Sequence, residues 1–114
     1  MKPSEYIRRG WCQGAHAVSI NGRRCDIDAP KARRFDIVGA MFKAGELPPG
    51  AWAALMEHVG DHRREEVERT VTNSVERARL QRKAFEMASD LARWNDQPNR
   101  TQSEVLDVLR RAGL

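Results

Sequence analysis

The segment from residue 94 to residue 106, W-N-D-Q-P-N-R-T-Q-S-E-V-L, places a helix end, a rigid turn and a helix start close together. The ring of Pro98 fixes its own φ and stiffens the turn. Thr101 and Glu104 match the T-x-x-E capping box that starts a helix. We therefore predict two helices that meet at this corner. The second helix buries residues at helical spacing, namely Val105, Leu106, Leu109 and Ala112.

The stretch before this corner, residues 61–94, contains neither Pro nor Gly, so it can form one long helix. Its first half carries an apolar stripe narrower than a core helix usually presents, whereas its second half is rich in apolar side chains. We predict a long helix whose first part, residues 61–83, projects or pairs with a partner. A break near residues 72–74 is the alternative, because Asn73 and Glu76 resemble a capping box.

The pair Asn21-Gly22 is the clearest local turn signal, because both central positions of a type I′ turn need positive φ. It predicts a β-hairpin over about residues 17–27, with Val18 opposite Cys25. A lone hairpin is only marginally stable, so its apolar face must pack on helices.

Three further helices are predicted from caps and apolar spacing. Ser4 can cap a short helix over residues 5–9, and Asp28 can cap a longer helix that ends at Gly45. A third helix covers residues 51–59 and ends before the next glycine. The fold class predicted is therefore mainly α: a compact helical domain with one β-hairpin and a long helix in the second half.

Length and composition limit the kind of protein. A chain of 114 residues has the size of one domain, so we predict a single domain over residues 1–114. The net charge of +4 and the pI of about 9.6 permit an acidic partner without demanding one. No window approaches the roughly 18 apolar residues of a membrane span, and two cysteines fit a reducing compartment. We expect a soluble, cytoplasmic protein with no membrane partner.

No catalytic residue, metal site or cofactor is predicted. The Gly-rich phosphate-binding patterns are absent. A metal site would need Cys12, His16, Cys25 and a distant histidine, His58 or His62, to converge, and their spacing matches no usual zinc pattern. Activation of Cys12 by His16 as a nucleophile is disfavoured, because the thiol lies beside a tryptophan and is expected to be inert.

Two groups of residues are candidates for binding. The first is the tryptophan corner, where a binding site and a purely structural helix–loop–helix corner both remain open interpretations. Its residues are Trp11, Gln13, Trp94, Asn95, Asp96 and Arg100. The second is a basic strip that could contact phosphates, although acidic residues along the same segment also fit a solvated helix face. Its residues are Arg77, Arg79, Arg82 and Lys83.

These motifs resemble those of an uncharacterised family of small actinobacterial and phage proteins, which carry W-[CT]-Q-G-A and W-N-D-x-P-x-R-T-x-x-E-V-L. The chain departs from the family pattern at Val18-Ser19 and at Phe35-Asp36. The resemblance implies no activity, but it implies a phage or mobile-element origin and a shared constellation of residues. That constellation comprises Trp11, Gln13, Gly14, Trp94, Asn95, Asp96, Arg100 and Thr101.

The sequence thus predicts a small non-enzymatic protein that binds a macromolecular partner, most simply another protein. Residues 61–83 are the expected interaction element, and a homodimer through them is one form of it. For a viral protein, inhibition of a host-defence complex is a concrete example. Nucleic-acid binding through the basic strip is the first alternative, and a small-ligand or enzymatic site formed by Gln13, Asn95, Asp96 and Arg100 is the second.

Overall fold

The computed structural model describes residues 1–70 and 87–114. These residues form a mainly α fold with a small two-stranded antiparallel sheet, which confirms the predicted fold class at this level. The elements are, in chain order, α1 (Pro3–Arg9), β1 (Ala17–Ser19), β2 (Ala32–Phe35), α2 (Ile37–Ala44), α3 (Ala51–Thr70), α4 (Met87–Asn95) and α5 (Gln102–Arg111).

The hydrophobic core lies where the helices meet. α1 packs against α2 and α5, α3 packs against α4 and α5, and α2 also contacts α4. Each fully buried aliphatic side chain stabilises the fold by about 1.5–3 kcal/mol, so this cluster is the main source of stability. Its largest aliphatic members, none more than 1% exposed, are Ile7, Ile37, Met41, Leu55, Leu91 and Leu109.

The sheet differs from the predicted hairpin in its second strand. β1 pairs with β2, so that Ala17 lies opposite Phe35 and Val18 lies opposite Arg34. Residues 23–27, predicted as the second strand, contribute only an isolated bridge to β1, in which Val18 lies opposite Arg24. The predicted pairing of Val18 with Cys25 is therefore wrong by one residue.

The turn explains this shift. The Ser19 N–H donates to the Arg23 carbonyl at 2.8 Å, which leaves three residues in the loop where two were predicted. Gly22 has a φ of 79°, and no described residue other than glycine has a positive φ, so Asn21 cannot take its place in a type I′ turn. A glycine with positive φ at the end of the loop is typical of three-residue hairpin loops.

The helix predicted to start after Asp28 begins later, at Ile37. The helical spacing of Ala32, Phe35 and Val38 predicts helix for the residues before Ile37, and this prediction is wrong. Residues 32–35 instead extend as β2, since the Phe35 N–H donates to the Gly10 carbonyl at 3.0 Å and its carbonyl accepts from Cys12 N–H at 3.1 Å. These contacts with a distant segment override the local pattern. The predicted end at Gly45 is confirmed.

α3 continues through Gly60, where the sequence predicted an end. Gly60 is buried, as are its neighbours Val59 and His62. Tertiary packing therefore offsets the cost of about 1 kcal/mol that a glycine imposes inside a helix. The middle of the long helix predicted over residues 61–94, the alternative break near 72–74 and the whole basic strip lie outside the described residues.

Of the helix caps predicted at Thr101 and at Ser4, the first is confirmed and the second is wrong. The Thr101 hydroxyl accepts from the Glu104 N–H at 3.2 Å and the Glu104 carboxylate accepts from the Thr101 N–H at 3.0 Å, as the capping box predicts. Ser4 does not cap α1, which follows Lys2. The Ser4 hydroxyl instead donates to the Leu114 carbonyl at 2.8 Å and joins α1 to the residues after α5.

Candidate functional site

The two tryptophan-bearing segments meet at the side chain of Asn95, in line with the shared constellation that the family resemblance implies. Asn95 Oδ1 accepts from the Trp11 indole Nε1–H at 2.7 Å and from the Ile37 backbone N–H at 3.0 Å. Its Nδ2 donates to the Cys12 carbonyl at 3.1 Å and to Asp96 Oδ1 at 2.9 Å. Because the residue is fully buried, these four bonds satisfy its whole amide inside the protein.

The rest of the W-C-Q-G-A segment closes the C-terminal end of α4. Gln13 Nε2 donates to the Asn95 carbonyl at 2.9 Å and to the Gln97 carbonyl at 2.8 Å. The Gly14 N–H donates to Asp96 Oδ1 at 3.0 Å, with a φ of 79° that favours glycine. The segment therefore satisfies polar groups that a helix end leaves without intrahelical partners.

Arg100 and Trp94 form the other side of the corner. The Arg100 guanidinium carbon lies 4.0 Å from the centre of the Trp94 ring, and Arg100 Nε donates to the Trp94 carbonyl at 2.9 Å. Arg100 also pairs with Glu104 at 3.1 Å, and His62 lies edge-on to the Trp94 ring while its Nε2 is 3.1 Å from Glu104 Oε2. The buried cation is therefore held by stacking, a carbonyl and a carboxylate.

Opposing effects set the acidity of Glu104. Partial burial raises the pKa of its carboxyl. The hydrogen bonds from Thr101 and the charges of Arg100 and His62 together lower the pKa by more than burial raises it, so the net pKa lies below its ordinary value. Glu104 is thus held ionised as part of this corner.

Most of the predicted corner residues are used to build the fold. The polar groups described above for Trp11, Gln13, Asn95 and Arg100 bond to other parts of the chain, and the Trp94 side chain is 1% exposed. This geometry favours the structural interpretation of the corner, and a role of these residues in binding stays a prediction. Asp96 differs, because it is exposed and lines a cleft beside the corner.

That cleft has a volume of about 290 Å³ and contains an Asp–His pair that the sequence did not predict. His16 Nδ1 lies 2.9 Å from Asp36 Oδ2, with the His16 side chain 52% exposed and the Asp36 side chain 2% exposed. The pair is separated by twenty residues, so no local motif signals it. The residues that line the cleft are Gly14, Ala15, His16, Ala17, Arg24, Cys25, Asp36, Ala92 and Asp96.

The structure fixes this pair through the start of α2. Asp36 Oδ1 accepts from the Gly39 N–H at 2.6 Å and caps the helix, while its Oδ2 faces His16. Gly39 permits the close approach, because a Cβ there would lie 1.9 Å from the His16 carbonyl oxygen. When Nδ1–H donates to Asp36, Nε2 keeps its lone pair and can accept a proton or a hydrogen bond from a ligand.

Burial controls the two titratable groups beside the cleft. Burial raises the pKa of Asp36 above its ordinary value, although the Gly39 N–H and His16 lower it in part. Burial, together with the carboxylates of Asp36 and Asp96, raises the pKa of the Cys12 thiol to about 12. Cys12 therefore stays protonated near neutral pH, where a nucleophile would need to be a thiolate.

A second concave surface, here called the basic groove, runs along β2 with a volume of about 430 Å³. It combines four cationic side chains with an apolar floor, and none of the described residues that line it is acidic. The sequence contains these cations as separate small groups, and the packing of α1 and α2 against β2 brings them together. The lining residues are Tyr6, Arg9, Ile20, Ala32, Arg33, Arg34, Phe35 and Lys43.

The comparison with known proteins places the chain in a family. The family described as "Family of unknown function (DUF6197)" matches residues 4–113, nearly the whole sequence. The chain belongs to DUF6197. No curated protein and no solved structure matches it.

The region matched by DUF6197 includes both tryptophan-bearing segments, the cleft and the basic groove. Within residues 1–70 and 87–114 of this DUF6197 protein, no group of three or more His, Cys, Asp or Glu residues is arranged to hold a metal ion. Over the same two stretches, none of the helices is both long and apolar enough to cross a membrane.

Proposed function

We propose that this DUF6197 protein is a non-enzymatic binding protein for another protein and that the basic groove is its docking surface. The observation that supports this proposal is the unbalanced charge of the groove. Within the part of the chain that the structure describes, Arg9, Arg34 and Lys43 form no ion pair. Clustered charge of one sign raises the rate of association with a partner of opposite charge.

An exposed apolar side chain adds to this surface. Ile20 is 78% exposed and lies at the basic groove, where its contact with a partner would remove apolar area from water. The protonated Cys12 thiol argues against nucleophilic catalysis by this residue.

The origin and biological role of the binding are part of the same proposal. We propose that the gene comes from a phage or mobile element and that the protein inhibits a host complex. The basic groove would then be the surface that binds the host complex. Self-association through residues 61–83 is a separate proposal, and light scattering after size exclusion tests it against the monomer mass of 13.0 kDa.

The test is reconstitution of a complex with an isolated partner. The protein captures partners from a nuclease-treated lysate, and each captured protein is then purified and mixed with it in sedimentation velocity. We expect a complex of fixed stoichiometry that Arg34→Glu weakens and that Arg110→Glu, an equal charge change at an exposed site outside the groove, leaves intact. Loss of all capture after nuclease treatment, or equal effects of the two variants, would contradict the proposal.

A second candidate function is binding of a small molecule in the cleft, and the Asp36–His16 pair supports it. A ligand hydroxyl or amine would donate to His16 Nε2. Imidazole resonances of His16 that shift on addition of a hydroxyl-bearing fragment, and that stop shifting in Asp36→Asn, would support this function. Nucleic-acid binding through the basic strip is tested separately by Arg79→Ala, which should weaken binding and reduce its dependence on salt.

A further inference from the structure

We infer that the occupant of the basic groove is an acidic segment of the partner protein that alternates carboxylates with aliphatic side chains. The inference rests on the proposed function of partner binding and specifies what the partner must present. It depends on the charge of the groove, on its apolar floor and on the orientation of its aromatic rings.

The charges come from three different elements and converge on one surface. Arg9 belongs to the end of α1, Arg33 and Arg34 belong to β2, and Lys43 belongs to the last turn of α2. The Arg33 guanidinium is held in place, because its NH1 donates to the Pro30 carbonyl at 2.6 Å and to the Ala32 carbonyl at 3.0 Å. Carboxylates are the protein groups that complement such a set of cations.

The floor of the groove favours aliphatic side chains between those carboxylates. Ile20 is largely exposed, and Tyr6 and Ala32 are partly exposed. A fully charged polymer would leave these side chains without apolar contacts, whereas aliphatic side chains would bury them and gain about 25 cal/mol for each Å² removed from water.

The aromatic rings argue against a single-stranded nucleic acid as the occupant. Proteins that bind single-stranded nucleic acids offer the faces of aromatic side chains, on which the bases stack. The two rings of the groove, Tyr6 and Phe35, instead pack against each other edge-to-face, with their centres 5.5 Å apart and their planes at 70°. Phe35 is also only 5% exposed. Phe35 is therefore too buried to serve as a stacking platform, which leaves Tyr6 as the one aromatic ring in the described lining with an exposed part.

The experiment compares two labelled probes on the folded protein by fluorescence anisotropy. One probe is a short synthetic peptide that alternates Glu with Leu, and the other is an oligothymidylate of equal length. We expect the peptide to bind the wild type more tightly than the oligothymidylate does. Arg34→Glu should weaken the affinity for the peptide at least about tenfold, which corresponds to about 1.4 kcal/mol of binding free energy. The matched control Arg110→Glu should change its affinity less than about twofold.

A separate variant tests the apolar contact. Ile20→Ser removes an exposed side chain, so the protein should keep its circular dichroism spectrum and melting temperature while the peptide binds more weakly. A peptide of alternating Glu and Ser should bind the wild type more weakly than the Glu-Leu peptide does. Equal affinity of these two peptides would overturn the aliphatic part of the inference.

The remaining outcomes separate this inference from the proposed function. Tighter binding of the oligothymidylate, or peptide binding that is equally affected by Arg34→Glu and Arg110→Glu, overturns the inference. If a purified partner protein nevertheless binds Arg34→Glu more weakly than the wild type, the proposed function stands and only the chemistry of the occupant is wrong. If no protein partner forms a complex, the proposed function fails, whatever the peptide does.

Discussion

Replacement of Asn95 by Ala should strongly destabilise the protein. Asn95 is fully buried, and its amide makes four hydrogen bonds that join α4 to the W-C-Q-G-A segment and to the start of α2. The alanine variant removes all four and leaves two donors, the Trp11 indole and the Ile37 N–H, without their acceptor.

The magnitude follows from those two donors. A buried polar group that loses its partner costs about 1–3 kcal/mol, so the pair gives a loss of about 2–6 kcal/mol in the free energy of unfolding. Small domains have about 5–15 kcal/mol in total, so the variant loses a large part of its stability. At this chain length 1 kcal/mol shifts the melting temperature by about 4 °C, which predicts a fall of about 8–24 °C.

Urea and thermal unfolding followed by circular dichroism measure this loss. Asn99→Ala is the matched control, because Asn99 is exposed in the same loop and its truncation should change stability by less than about 0.5 kcal/mol. A loss in Asn95→Ala as small as that of the control would refute the reasoning that the two segments depend on this amide.

Three further predictions concern other parts of the structure. Gly39→Ala should cost at least about 2 kcal/mol in urea unfolding, because the new Cβ would lie 1.9 Å from the His16 carbonyl oxygen; unchanged stability would contradict that approach. The lowered pKa of Glu104 adds stability that is present above the ordinary pKa of 4.5 and is lost as pH falls through the pKa of the folded protein. The difference in unfolding free energy between wild type and Glu104→Gln should therefore shrink on acidification. A difference that stays constant with pH would contradict the lowered pKa. In a Cys25→Ser background, iodoacetamide should alkylate Cys12 at least about tenfold more slowly in the folded than in the unfolded protein at neutral pH, because burial raises the pKa of the thiol from 9.0 to about 12 and lowers the thiolate fraction; similar rates would show an accessible thiolate.

The parts of the fold that depend on local chemistry could be predicted from the sequence. The capping box at Thr101 and Glu104 starts α5 where expected, and Gly45 ends α2. The tryptophan corner was also identified, because a stiff turn with an aromatic, an Asn-Asp pair and an Arg is unusual in composition. These features rest on residues close together in the chain.

The parts that depend on distant contacts could not be predicted in the same way. β2 has the spacing of a helix and becomes a strand only through hydrogen bonds with β1 and with Gly10 and Cys12. α3 passes through Gly60 because that residue is packed inside the molecule. The Asp36–His16 pair depends on how β1 pairs with β2, and the basic groove depends on how α1 and α2 pack against β2, so their residues could be named individually but not placed together.

A ¹H–¹⁵N NMR titration with the Glu-Leu peptide distinguishes a tryptophan corner that builds the fold from a basic groove that binds the partner, because it reports shifts at each backbone amide. We expect the largest shifts at Ala32–Phe35, Arg9 and Lys43, and small shifts at residues 94–100. The largest shifts at Gly14, His16 and Asp96, with residues 32–35 unchanged, would contradict it and assign binding to the cleft.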